Sequence, residues 1–252
     1  MWIGFPGTEL REMRNFSRGL RKTPLVSQAQ HNVLSGAIRV TSRSKVPRRW
    51  SGTLPWIDHA DADWLLILIR KLYGPGPIAM IDPSTRNFLA PQQSVGRGRL
   101  AQWDPTAGTV TTAGGQAFWT RTGTAQLRWV HPIWGRWPTS TGLVVSFRQY
   151  AGTGRTGLRF YDAAGVQISG ADTAGSVHTA TSPSGAQWVQ PYLSATGSGT
   201  VPMPLSCLLY GSVAPEDFPV GEHCAAFAIG NPDEIVDALP RRTVALELLE
   251  QF

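Results

Sequence analysis

Lysine is nearly absent from this chain: three residues, none after Lys71. Cysteine is scarcer still, with only Cys207 and Cys224, and neither stands in a CxxC or other metal-ligand spacing. Two cysteines cannot build a multi-disulfide framework or a thiolate zinc cage, so two buried, reduced thiols are expected, with pairing between them left open. Long apolar runs are missing as well. The longest, Trp64 to Ile69, falls far short of the roughly 20 residues a membrane helix needs, so no membrane role is expected. The first residues, MWIGFPGTEL, have no basic stretch leading into an apolar one, so folding in a cytoplasm is expected.

The missing motifs exclude chemistry. The five histidines (31, 59, 131, 178, 223) are dispersed, with no HxH or HExxH, so no metal or other cofactor is expected. There is no Gly-x-Ser-x-Gly elbow, and the glycine-rich GTG and GSG tracts lack the following helix that an anion cradle requires. Gly96-Arg97-Gly98 reads as a linker rather than a phosphate cradle. Glu216-Asp217, Asp233-Glu234 and Asp61/Asp63 lie beside prolines or at a helix start, where capping and solvation account for them. The chain is therefore expected not to be an enzyme.

What is present is glycine (27), proline (19) and a hydrophobic content of 42%, without a fixed repeat. That composition suits many short strands joined by turns. Charge is unevenly placed: residues 1–99 carry a net +9 and residues 100–252 a net −3. A basic face attracts phosphates whatever their sequence, but no nucleic-acid motif accompanies the charge, so an interface with an acidic partner or plain solvation is preferred and nucleic acid is not expected as a partner.

Along the chain, residues 25–41 read as part of a hairpin or meander, and a second short strand lies in RWSGTLPW. Residues 60–73 form the one convincing helix, with Asp58 or Asp61 as its cap and apolar residues at 64, 65, 68 and 72 on one face. Gly74-Pro75-Gly76-Pro77 stops it, since proline cannot continue the hydrogen-bond ladder. IAMI (78–81) is a strand closed by a turn at Asp82-Pro83. Beyond about residue 96 short strands recur at 117–121, 125–130, 142–150, 157–161, 166–169, 186–195, 205–210 and 224–229, with LRFYDAAGVQI as a compact hairpin. The terminal run RRTVALELLE alternates apolar residues at 244, 246 and 248, which makes it a last strand that returns to the first domain.

The fold expected is thus all-β with one helix: a small β-domain (split β-sandwich or barrel), residues 1–98 plus 238–252, carrying an inserted jelly roll, residues 99–237. The run LIRKLYGPGPIAMIDPSTRNFLAPQQS resembles minor tail proteins of siphophages infecting actinobacteria, through Gly74, Pro75, Gly76, Pro77, Asp82, Pro83 and Asn87. HPIWG, GLVVSFRQY, LRFYDAAGVQIS and QWVQPYLSAT are similar to the carbohydrate-binding-module-like jelly rolls of those proteins. The arrangement looks like a distal tail protein.

That resemblance implies a structural part of the virion tail tip, assembled in the host cytoplasm. It would form a homo-oligomer, a hexameric ring, that contacts the tail tube, tape measure and hub or baseplate proteins. The alternative is an adhesin module that binds host cell-wall glycan. For that reading Trp129, Trp134 and Trp137 are the candidate sugar-stacking residues; the same three indoles would equally fill the core of a small sandwich.

Overall fold

In a computed structural model the terminal run is a single strand, Arg241–Glu250, with Val244, Leu246, Leu248 and Glu250 buried at every second position. The period of two puts these side chains on one face. The strand pairs antiparallel with Arg48–Ile57 on one side and Ala226–Ala238 on the other, and Arg21–Pro24 pairs with the far edge of Arg48–Ile57. Trp50, Leu54 and Ile57 are buried along Arg48–Ile57, and Trp50 meets Phe227 edge-on at 5.9 Å. Each such apolar side chain contributes roughly 1.5–3 kcal/mol of transfer free energy. The structure describes residues 1–14, 21–25, 28–32, 38–42, 47–150, 154–212, 214–222, 225–238 and 241–251, and over 28–32, 38–42 and 231–238 the main chain alone. Cys224, His223 and the His31 side chain lie outside the described residues.

The chain divides into two compact units: residues 13–78 with 227–252, and residues 1–12 with 79–226. Composition placed the crossings near 98 and 238; these divisions fall between Ile78 and Ala79 and between Ala226 and Phe227. Gly96, expected in a linker, is packed within the larger unit: its φ is +68°, and a Cβ there would lie 2.7 Å from the Met203 carbonyl oxygen. By these divisions the smaller unit carries a net +5 and the larger a net +1.

The helix of the smaller unit spans His59–Ile69 and packs on the terminal strand. Asp58 is its cap, accepting a hydrogen bond from the Asp61 amide at 3.0 Å. The helix is shorter than the 60–73 expected. Lys71 turns left-handed (φ +53°), and the Leu72 amide donates to the Ile67 carbonyl at 3.0 Å. Leu72 is therefore 67% exposed rather than on the buried face. Gly74 and Gly76 follow at φ +128° and +129°, values that favour glycine, with Pro75 and Pro77 alternating between them. Gln28–Asn32 and Ile38–Ser42 pair as an antiparallel hairpin in the expected region.

The larger unit is a β-sandwich with open sheets. One sheet runs, in order, Gln167–Ala174, Arg155–Tyr161, Trp188–Ala195, Ala125–Trp129 and Trp103–Pro105, with Trp137–Pro138 also pairing to Trp188–Ala195. A second holds Val177–Thr181, Val144–Gln149 and Ser206–Tyr210; a third holds Gly199–Pro202, Gln116–Arg121 and Thr109–Ala113. Trp2–Phe5 pairs with Glu9–Glu12 and with residues 79–81. Phe88, Trp119, Trp129, Trp137 and Phe147 are buried among these strands, with Trp129 and Phe147 edge-to-face at 4.9 Å. Beyond the one helix expected, the chain forms a helical turn at Pro91–Ser94 and a 3-10 turn at Leu100–Gln102.

The Asp82-to-Asn87 turn ties this unit together. Asp82 accepts from the Ser84 amide at 3.0 Å and from the Ser84 hydroxyl, and Pro83 lies between them. Asn87 is fully buried. Its Nδ2 donates to the carbonyls of Ser206 (3.0 Å) and Pro219 (2.8 Å), and its Oδ1 accepts from the amides of Leu89 (3.0 Å) and Leu208 (3.2 Å).

Candidate functional site

The large sheet has two different faces because successive side chains alternate. Leu127, Trp129, Leu158, Phe160, Val189 and Leu193 point into the core. The opposite face carries Arg155, Arg159 and Tyr161 on one strand, and Trp188, Gln190, Tyr192 and Ser194 on the next. Gln126, Arg128 and Asp104 follow across the sheet, as the pairings Tyr161↔Trp188, Arg159↔Gln190, Arg155↔Ser194, Arg128↔Tyr192 and Arg128↔Asp104 require.

Glycine makes this face flat. Gly157 lies opposite Tyr192, and a Cβ on it would fall 2.4 Å from Tyr192 Cζ, so the tyrosine ring lies across the neighbouring strand. The Arg159 guanidinium sits over that ring at 4.9 Å, and Tyr192 donates its hydroxyl to Asp172 at 3.3 Å. Burial and the neighbouring Asp172 push the Tyr192 hydroxyl above the usual tyrosine value. Arg155 pairs with Asp172 at 2.5 Å, Arg128 pairs with Asp104 at 2.6 Å, and Arg159 donates to Gln126.

At one end of this face is a polar cleft of about 440 Å³ whose walls include Asp104, Arg128, Trp134, Arg136, Trp188 and Gln190. Trp134 is held in a closed loop. His131 and Gly135 exchange main-chain hydrogen bonds at 3.1 and 3.0 Å, and His131 Nδ1 accepts from the amides of Ile133 and Trp134, both at 3.1 Å. The His131 ring is buried, stacks on Trp134 at 4.7 Å and 13°, and rests edge-on against Trp137 at 5.3 Å. Trp188 lies 6.4 Å from Trp134 at 57° and is backed by Gly7, where a Cβ would fall 2.9 Å from the indole. Arg136 lies over Tyr161 at 3.7 Å and donates to the Gly165 carbonyl at 3.1 Å.

The three indoles picked out in sequence therefore separate. Trp129 and Trp137 are fully buried, which corrects their reading as sugar-stacking residues: a ring with no exposed face cannot stack on a ligand. Trp134 alone reaches the cleft, half-buried. The residues missed were Trp188, Arg128, Arg136, Arg159 and Gln190. The usable signal was Arg155-x-Gly157-x-Arg159, a polar alternation in a strand whose other face is apolar, repeated in Trp188-x-Gln190-x-Tyr192. Gly74, Pro75, Gly76, Pro77, Asp82, Pro83 and Asn87 form turns and are not among the residues that line this cleft. A smaller cleft of about 230 Å³ in the other unit is lined by Leu68, Lys71, Ile78, Phe227 and Gln251, among others. Among the described residues no three metal-ligating side chains cluster, and no helix is long and apolar enough to cross a membrane.

No family model matches the chain, and no curated protein does. Among solved structures it is similar to the enzymatically active domain of tailspike protein 4 of bacteriophage CBA120, at 13% identity and a TM-score of 0.35, over 49% of this chain and 21% of that one. The chain thus spans about a fifth of that tailspike domain's length. It is also similar to a structure of carbohydrate-binding modules from the β-sandwich superfamily with promiscuous specificity, at 10% identity and a TM-score of 0.29, over 79% of this chain and 98% of that one.

Proposed function

We propose that this chain is a non-catalytic structural protein of a phage tail tip, of the distal tail type. The observation that carries this reading is the discontinuous small unit. Its terminal strand Arg241–Glu250 is the partner of Arg48–Ile57, so a continuous sheet is made from two ends of the chain with a β-sandwich between them in sequence. The helix followed by Gly74-Pro75-Gly76-Pro77, and the Asp82-to-Asn87 turn, are the motifs of the resemblance, and each has a definite structural task. In this reading the small basic unit builds a homohexameric ring against the tail tube, tape measure and hub proteins at the virion tail tip. Its net +5 suits an acidic neighbour. The absence of catalysis is part of the proposal: Asp104 and Asp172, the carboxylates of the polar sheet face, are each engaged by an arginine. Negative-stain microscopy of the full chain tests it, with rings expected and isolated single particles contrary to it.

A second reading is favoured by the cleft at Trp134 and Trp188: the sandwich attaches the virion to glycan of the host cell wall. Two half-buried indoles above Gln190 and two arginines offer both an apolar surface for sugar C–H groups and donors for hydroxyls. Host wall polysaccharide should quench the tryptophan fluorescence of the intact chain and leave that of Trp134→Ala changed far less. Equal quenching of both would remove this cleft from the reading.

A further inference from the structure

We infer that the polar face of the large sheet takes an acidic saccharide: a sugar ring against Trp134 and Trp188, with its anionic substituent toward Arg128 and Arg136. This rests on the glycan-binding reading and narrows its ligand.

Of the eight arginines beyond residue 100, four stand on this face or at its cleft: Arg128, Arg136, Arg155 and Arg159. They meet two carboxylates, Asp104 and Asp172, which leaves a local excess of two positive charges in a unit whose overall balance is only +1. Arg136 and Arg159 have no carboxylate within ion-pair distance among the described residues. Instead they lie over Tyr161 and Tyr192 at 3.7 and 4.9 Å. A guanidinium laid on an aromatic ring is pre-ordered, so it gives up less side-chain entropy when an anion binds. Arg128 keeps its Nε buried with no hydrogen-bond acceptor among the described residues, although Nη2 is engaged by Asp104.

A neutral sugar needs hydroxyl partners of both kinds, donors and acceptors. Here the donors outnumber the acceptors: Gln190 already donates to the Trp129 carbonyl and accepts from the Tyr161 hydroxyl, and Asp104 is held by Arg128. The excess suits a carboxylate or phosphate. Nucleic acid would need rows of bases stacked along the face, but Tyr161 and Tyr192 are buried beneath their arginines, and only the Trp134–Trp188 wedge is accessible.

The test is calorimetric titration of the full chain with four probes at low salt: trigalacturonate, its neutral counterpart galactotriose, a phosphorylated hexose trisaccharide, and oligo-dT. At least tenfold tighter binding of one acidic saccharide than of galactotriose is expected. That binding should weaken with salt and fall at least tenfold in both Arg128→Gln and Trp134→Ala, with melting temperatures checked to show both variants folded. Should Arg128→Gln fail to fold, Arg136→Gln serves in its place. The carboxylated and phosphorylated arms tell which anion is preferred. Both acidic saccharides binding no tighter than galactotriose would overturn the acidic preference while leaving the glycan reading standing, whereas binding of none of the three saccharides would overturn both. Oligo-dT binding as tight as that of the acidic sugar, and insensitive to Trp134→Ala, would reduce the face to a general polyanion surface and overturn the inference.

Discussion

Asn87 fills all four of its side-chain hydrogen-bonding positions with main-chain groups, three of them more than a hundred residues away in sequence. Alanine there would strand two buried amides and two carbonyls, so Asn87→Ala should destabilise the chain by about 3 kcal/mol in urea unfolding. Asn87→Asp should be no better, since a carboxylate cannot donate to Ser206 and Pro219. An unchanged unfolding midpoint would mean that water replaces the side chain. His178 offers a pH test. Burial lowers its pKa below the ordinary 6.5, against a smaller opposing effect of Asp172. Its Nδ1 lies 2.8 Å from the Thr173 hydroxyl, and its Nε2 is buried without a partner among the described residues. The unfolded chain therefore takes up this proton more readily than the folded one, and stability should fall as pH drops below about 6.5. The melting temperature of the wild type should decline from pH 7.5 to 5.5 more steeply than that of His178→Gln; parallel declines would assign the loss to other groups.

At the scale of the element, what could be read in advance was whatever pattern carried a burial contrast. The Arg241–Glu250 strand announced itself by apolar residues at every second position, and the Arg155–Tyr161 and Gln167–Ala174 hairpin by its Asp-Ala-Ala-Gly turn. Thr109–Ala113, Val177–Thr181 and Gly199–Pro202 gave no such signal, because they are strands of threonine, glycine and alanine with mostly exposed side chains. Pro91–Ser94 is one turn opened by proline, too short for a periodic pattern. The helix end was overrun because Leu72 fits the heptad-like spacing, while the left-handed Lys71 that throws it outward leaves no mark in composition. The polar sheet face was hidden for a related reason. A strand's outward polar residues look like ordinary solvated ones until pairing sets Arg159 beside Gln190 and Gly157 beneath Tyr192. That last pair yields a test: Gly157→Ala should cost roughly 1–3 kcal/mol through overpacking, and should displace Tyr192. Thermal unfolding and the tyrosine near-ultraviolet dichroism would report it; a variant as stable as wild type would mean that Tyr192 moves away freely.

At the scale of the whole chain, one tryptophan stands apart. Trp50 and Trp64 of the smaller unit are buried, but Trp56 is 62% exposed on a left-handed residue (φ +59°), its carbonyl accepting from Arg241 at 3.1 Å. Left-handed backbone costs a bulky residue roughly 1–2 kcal/mol, and the exposed indole adds an unburied apolar surface. A ring of copies would cover it, so Trp56→Asp should shift the assembly toward monomer in sedimentation without lowering the melting temperature of the sandwich. Unaltered sedimentation would remove Trp56 from the subunit contact.

The distal tail reading stands most directly on the mass of the particle in solution. Light scattering on the purified full chain eluting from a sizing column, with negative-stain images of the same peak, should give closed rings of six copies. A single 27.4 kDa species at every concentration, with no ring in the images, would contradict it.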